Sequence, residues 1–324
     1  MTRDHGGNID RARARFGGDD WIDLSTGINR VPWPVPDLPA HVWTDLPTRT
    51  ARDALIRAAA GAFGGDAPCI PLAGAQQAIQ LVPRLAKQTR ARVLGPTYNE
   101  HAASLRTSGW VVDQVGTLAD LAGADLAVVV NPNNPDGQRH PPAALRDLAA
   151  QVGLLVVDES FADAHPDLSL LPDPGPALVL RSFGKFWGLA GLRLGFAFGP
   201  APLIDRLAEM AGPWPVSGAA IHIGTLALTD RDWARATIAR LTGEAARLDG
   251  LAADAGWRLV GGTGLFRCYE TPDAEAAQDH LARARIWSRI FPYSRNWLRL
   301  GLPGSAEEWQ RLAAAMPGPP VQRA

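Results

Sequence analysis

Apolar positions along the chain follow two rhythms. Short, nearly continuous apolar runs recur at 92–95, 111–115, 126–130, 154–157 and 177–180, and each has the length and composition of a strand. Between them lie segments such as 98–108 and 141–151, rich in Ala, Leu and Arg and long enough for crossover helices. Strands that are apolar at every position are buried on both faces, a feature of parallel sheets covered by helices. The pattern therefore predicts an α/β large domain with a mostly parallel central sheet. Upstream, Pro32, Pro34, Pro36, Pro39 and Pro47 suit an extended segment better than packed secondary structure. Residues 1–46 read as an N-terminal arm joining the small domain, and 47–204 as the large domain. In 205–324 long Ala/Leu/Arg helices across about 217–254, strands at 264–270 and 297–301 and a helix near 273–285 read as a smaller C-terminal α/β domain.

Composition narrows the partners. A chain of 324 residues exceeds one typical domain. With 46% hydrophobic and 20% charged residues, it has an ordinary globular composition. A formal charge of -1 provides no field to hold nucleic acid or an anionic membrane, so a small-molecule partner is expected. Cys69 and Cys268 stand far apart, in no metal-ligand spacing, and read as buried thiols in a reducing cytoplasm. The first residues lack the apolar core of a signal peptide and no later stretch is apolar enough to span a bilayer, so a soluble protein is expected. Most of the 11 tryptophans are expected in the core or in subunit contacts.

Candidate chemistry centres on Lys185, in the run 181–193, Arg-Ser-Phe-Gly-Lys-Phe-Trp-Gly-Leu-Ala-Gly-Leu-Arg. A lysine among aromatic and small residues can be desolvated, which frees its amine to form an imine with an aldehyde. Asp158 ends the apolar run 154–157, placing a carboxylate at the carboxyl edge of a parallel strand, where ligands bind. A carboxylate buried there needs a cationic partner, and a protonated pyridine nitrogen is one. Asn134, in Asn131-Pro132-Asn133-Asn134, follows the run 126–130 and stands near the same edge, although these residues also make an ordinary turn. Gly74-Ala75-Gln76 opens a helix of about 12 residues whose free N–H groups at Ala75 and Gln76 suit a phosphate. Ser182 and Arg193 offer that phosphate a hydroxyl and a cation, and Tyr98 offers a ring face to stack on a pyridine.

Singly, each feature has a mundane explanation: a surface lysine, a helix cap, a turn, a core tyrosine. Their order over about 120 residues is specific. The chain resembles the fold-type I, aspartate-aminotransferase-like enzymes that use pyridoxal 5'-phosphate, in the branch that contains histidinol-phosphate aminotransferase and threonine-phosphate decarboxylase. By that resemblance Lys185 carries the cofactor as a Schiff base, Asp158 pairs with the pyridine nitrogen, Asn134 bonds the ring oxygen, and Ser182 and Arg193 bind phosphate. It also implies a homodimer.

Within the branch, His5-Gly6-Gly7-Asn8-Ile9 and the run 21–29, Trp-Ile-Asp-Leu-Ser-Thr-Gly-Ile-Asn, are similar to the N-terminal signature of the threonine-phosphate decarboxylases of cobalamin synthesis. Pro213-Trp214-Pro215-Val216-Ser217 is similar to a further segment of that family. His5, the backbone of Gly6 and Gly7, and Asn8 suit a small anion-binding loop. Asn29 is implied as a further substrate contact. Arg299, in Trp297-Leu298-Arg299-Leu300-Gly301, matches the arginine that clamps the substrate's anionic end, and Arg289 is a second clamp with which Arg285 and Arg295 compete. The implied reaction is decarboxylation of O-phospho-L-threonine to (R)-1-aminopropan-2-yl phosphate; the alternative is a histidinol-phosphate-type aminotransferase. Two positions depart from relatives. Phe161 stands where many carry a tyrosine that bonds the ring oxygen, and Asp45-Leu46-Pro47-Thr48 stands where relatives bring a Tyr-Pro from the partner subunit.

Overall fold

A computed structural model describes residues 5–318; residues 1–4 of the expected arm and 319–324 lie outside them. The chain divides into two compact units. Among the described residues, one comprises 33–134 and 138–234, the other 5–32, 135–137 and 235–318. The boundaries expected at 46 and 204 therefore fall at 32 and 234. The cause is packing. Helix Gly218–Thr229, apolar along most of its length, lies against helix Arg49–Phe63, and helix Ala201–Ala211 lies against strand Cys69–Leu72, which ties 205–234 to the larger unit.

The larger unit is built on a seven-stranded sheet. In spatial order its strands are Cys69–Leu72, Gly195–Phe198, Leu178–Ser182, Leu155–Asp158, Leu126–Val130, Arg90–Leu94 and Val111–Val115. Only Gly195–Phe198 runs antiparallel to its neighbours. Every residue of Leu126–Val130 and Leu155–Asp158 is buried, as the unbroken apolar runs imply. Leu72, Ile79, Val93, Leu105, Val128, Val156 and Leu180 belong to one core between the sheet and its helices. The parallel register sets Val130 opposite Asp158 and Asp158 opposite Leu180, so the carboxyl ends of three adjacent strands lie within two residues of one another. Asn134, Asp158 and Lys185 all follow or close these ends.

The smaller unit holds a four-stranded antiparallel sheet in the order Arg289–Phe291, Ser294–Gly301, Phe266–Glu270, Arg258–Thr263, with helices Ala274–Arg283 and Ala306–Ala315. A two-stranded parallel pair, Ile22–Asp23 with Ile286–Trp287, joins the first residues of the chain to it. The Pro-rich stretch contains little regular structure beyond helix His41–Thr44. Cys268 is buried and Cys69 partly so, and both are free thiols. Trp33, Trp110, Trp187, Trp257, Trp287 and Trp309 are buried, while Trp43 and Trp214 are exposed. No helix of the described residues is long and apolar enough to cross a membrane.

Candidate active site

The carboxyl edge of the large sheet closes around one pocket. Gly74, Ala75, Gln76, Tyr98, Asn134, Asp158, Ser182, Lys185 and Arg193 all line it, so every residue expected to bind the cofactor converges there. The convergence has local causes. Asn131 and Asn133 are used up in building the turn: Asn131 Nδ2 donates to the His140 carbonyl at 2.9 Å, and Asn133 accepts from Thr97 Oγ1 at 2.6 Å and donates to the Pro96 carbonyl at 2.9 Å. Asn134 is the member of the motif that faces the pocket. Gly195, opposite Leu72 in the ladder, is bare enough for the 74–75 backbone to close in: a Cβ there would lie 2.4 Å from the Ala75 nitrogen. The helix after Gly74 runs only from Ala75 to Leu81, shorter than the 12 residues expected, because Pro83 turns the chain into a 3-10 segment. Arg193 sits in the left-handed region at φ 56°, a conformation that costs a non-glycine residue about 1 kcal/mol or more and concentrates at functional sites. Its guanidinium reaches back towards Gly74.

Asp158 is held by two residues that the sequence did not single out. His101 Nε2 lies 2.8 Å from Asp158 Oδ2, and Ser160 donates to Oδ1 from its amide at 2.9 Å and its hydroxyl at 2.5 Å. Burial alone would raise the carboxyl pKa, but the hydrogen bond and charge of His101 and the two bonds from Ser160 outweigh it, and the group is held below the usual carboxylate range. The pocket thus carries a fixed negative charge where a cationic ring nitrogen can be received. Lys185 Nζ lies 5.7 Å from the centre of the Phe161 ring, which forms an apolar part of the pocket wall. Tyr98 does more than present a ring, since its hydroxyl donates to Gln76 Oε1 at 3.2 Å and Gln76 Nε2 donates to Glu100 at 2.9 Å.

A separate cavity of about 1180 Å³ lies within the smaller unit. His5, Gly6, Asn8, Arg289 and Arg295 line it, together with Ser25, Gln278 and Ser288. Gly6 packs so closely on Ser25 that a Cβ would lie 2.4 Å from its carbonyl oxygen, and the Gly7 amide donates to Ser25 Oγ at 2.8 Å. That amide is spent inside the protein, which corrects the expectation that it would face an anion. Asn8 caps helix Ile9–Phe16 through its side-chain oxygen. Asn29 is not among the lining residues; its side-chain oxygen accepts from Arg240 at 2.7 Å and from the Val31 amide at 3.1 Å. Arg285 is likewise elsewhere, donating to the Gly17 carbonyl, while Arg11, Arg289 and Arg295 stand on the wall.

Arg299 stands directly opposite Arg289 in the antiparallel ladder. It is buried, donates Nη2 to the Ser25 carbonyl at 2.6 Å and packs on Phe266 at 5.0 Å. Burial, and then the neighbouring Arg289 charge, push its pKa down to about 10. Two guanidinium groups on facing positions of the ladder repel one another, more strongly where one is buried.

Fold and site define a class, and the comparisons agree with it. The model of the family Aminotransferase class I and II matches residues 40–316, and the chain belongs to that family. Two relatives named threonine-phosphate decarboxylase, from Sinorhizobium sp and Pseudomonas aeruginosa, are 44% and 42% identical to it, over 96% and 97% of this chain and 97% of each relative. A solved structure of histidinol-phosphate aminotransferase from Sinorhizobium meliloti in complex with pyridoxal-5'-phosphate matches with a TM-score of 0.84 at 19% identity, covering 98% of this chain and 94% of that one. At that identity it speaks for the shared fold.

Replacing His101 with Asn tests how Asp158 is held. The Asp158 pKa is depressed in the folded chain, so its contribution to stability is present above the unfolded value near ~4 and lost as pH falls through the folded value. With burial left less opposed, the folded pKa rises. The acid-unfolding midpoint of His101→Asn is expected at higher pH than that of the wild type, read by circular dichroism across a pH series.

Proposed function

We propose that this chain is a pyridoxal-phosphate-dependent decarboxylase of O-phospho-L-threonine, forming (R)-1-aminopropan-2-yl phosphate for cobalamin synthesis. The observation that carries the cofactor is the pocket in which a hydrogen-bonded, ionised Asp158 and the Lys185 amine share one lining. The donor set fits the group: Asp158 would hold the ring nitrogen's proton, Asn134 would donate to the ring oxygen, Tyr98 would cover the ring, and Ser182, Arg193, Ala75 and Gln76 would hold the phosphate. When bound, the cofactor supplies a protonated pyridine that stores the electron pair released at the substrate's α-carbon. Lys185 Nζ holds the cofactor and then delivers the proton to that carbon. Phe161 keeps water from the amine. Arg289, with His5 and the other residues of the cavity it borders, would bind an anionic group of the substrate. Near-full-length identity to two relatives of that name supports decarboxylation over amino transfer.

The two free thiols suit a reducing cytoplasm. A homodimer is supported by a hollow on the larger unit lined by Val42, Leu46, Pro47, Ile221 and Leu226, beside the exposed Trp43 at 68% and Leu46 at 65%. Large apolar groups exposed together mark an interface. Thr48, at the end of the stretch 45–48, caps helix Arg49–Phe63 through its hydroxyl oxygen.

Incubating the holoenzyme with phosphothreonine is expected to release one CO2 per aminopropanol phosphate formed. Glutamate-dependent amino exchange with histidinol phosphate, without CO2, would favour the alternative. Lys185→Ala is expected to cost at least about 10²–10⁴-fold in kcat, the usual worth of positioned proton transfer. Sedimentation equilibrium is expected to give twice the chain mass, and Leu46→Asp to shift the protein towards one chain mass.

A further inference from the structure

Behind the pocket lies a buried ionic cluster that the proposed chemistry does not use. Arg181 Nη1 lies 2.9 Å from Glu159 and Nη2 3.2 Å from Asp163, and the guanidinium packs 4.3 Å from the centre of the Phe63 ring. All three charged side chains are at most 5% exposed. Glu159 is held further by Ser169 Oγ at 2.6 Å and the Leu170 amide at 2.7 Å. Burial raises both carboxyl pKa values against the pull of Arg181, while the two carboxylates raise that of Arg181. Asp163 Oδ2 and Arg181 Nε nevertheless have no hydrogen-bond partner. A buried triad with unmatched polar atoms contributes little net stability, and apolar side chains of similar size replace such groups at little cost.

Its placement gives it a different use. Glu159 directly follows Asp158, and Arg181 directly precedes Ser182, at the ends of two neighbouring parallel strands. Side chains alternate across a strand, so Asp158 and Ser182 line the pocket while Glu159 and Arg181 point to the other side. The Glu159 amide donates to the Leu180 carbonyl at 2.8 Å, which carries the ladder one step past the last register pair. We propose that Arg181, forked between Glu159 and Asp163, is a positioning residue that fixes the separation of the Asp158 carboxylate and the Ser182 hydroxyl, the two groups that receive opposite ends of pyridoxal phosphate. The proposal rests on the cofactor reading above. A planar fork can hold two carboxylates at once, and an ammonium, as a point charge, cannot reproduce that geometry.

Two variants test it. Arg181→Lys keeps the charge and loses the fork; the triple change Arg181→Met, Glu159→Leu, Asp163→Leu removes the charges and keeps the volume. Both are expected to fold, with melting temperatures of the apoprotein close to wild type for the triple variant. The dissociation constant for pyridoxal phosphate, from absorbance titration, is expected to rise roughly ten- to a hundredfold in each, the scale of an ångström-sized misplacement. Amide hydrogen exchange at 158–160 and 181–183 in the apoprotein is expected to quicken in Arg181→Lys. Unchanged cofactor affinity and unchanged exchange in Arg181→Lys would overturn the proposal, as would a triple variant that melts lower yet binds cofactor as the wild type does. A wild-type protein that takes up no pyridoxal phosphate would overturn the cofactor reading instead, and the exchange data would still decide whether Arg181 orders the strand ends.

Discussion

The site depends on keeping a carboxylate ionised at the end of a fully buried strand. Desolvation drives Asp158 towards its neutral form, and the structure opposes it with His101 on one oxygen and Ser160, twice, on the other. The opposing groups come from different elements: His101 from the helix Asn99–Thr107, Ser160 from the residues just past the strand. The helix must therefore dock on the sheet in one orientation for the charge to exist. Leu105, one turn beyond His101 on the same buried face, belongs to the core cluster that fixes this docking. Packing thus sets protonation, and protonation sets what the pocket can hold.

The smaller unit solves the mirror problem, since it buries a cation. Arg299 pays for its burial with a lowered pKa and stands across the ladder from a second arginine. One unit holds a carboxylate ionised in its pocket, and the other buries a guanidinium.

The central sheet was legible because strands buried on both faces cannot hide in the sequence; they are apolar at every position. Lys185, Asp158, Asn134 and Arg193 were legible because each follows such a strand in a fixed order. His101 was not, because a lone histidine in an amphipathic helix resembles a surface residue. Its signal was position: it shares the helix face of Ala102 and Leu105, which are buried. The cluster of Arg181, Glu159 and Asp163 escaped notice because its members are scattered over 23 residues and meet only through strand adjacency. The domain boundary was misplaced because helix Gly218–Thr229 carries the same Ala/Leu composition as the helix that follows it. Composition cannot say which unit an apolar face will cover.

The central question is which bond at the substrate's α-carbon breaks, the one to the carboxylate or the one to hydrogen. Phosphothreonine carrying deuterium on its α-carbon answers this directly. For decarboxylation, the amine product is expected to keep the deuterium and gain one solvent proton at the same carbon as CO2 leaves. Loss of the deuterium to solvent, with the carboxylate retained in the product, would contradict it.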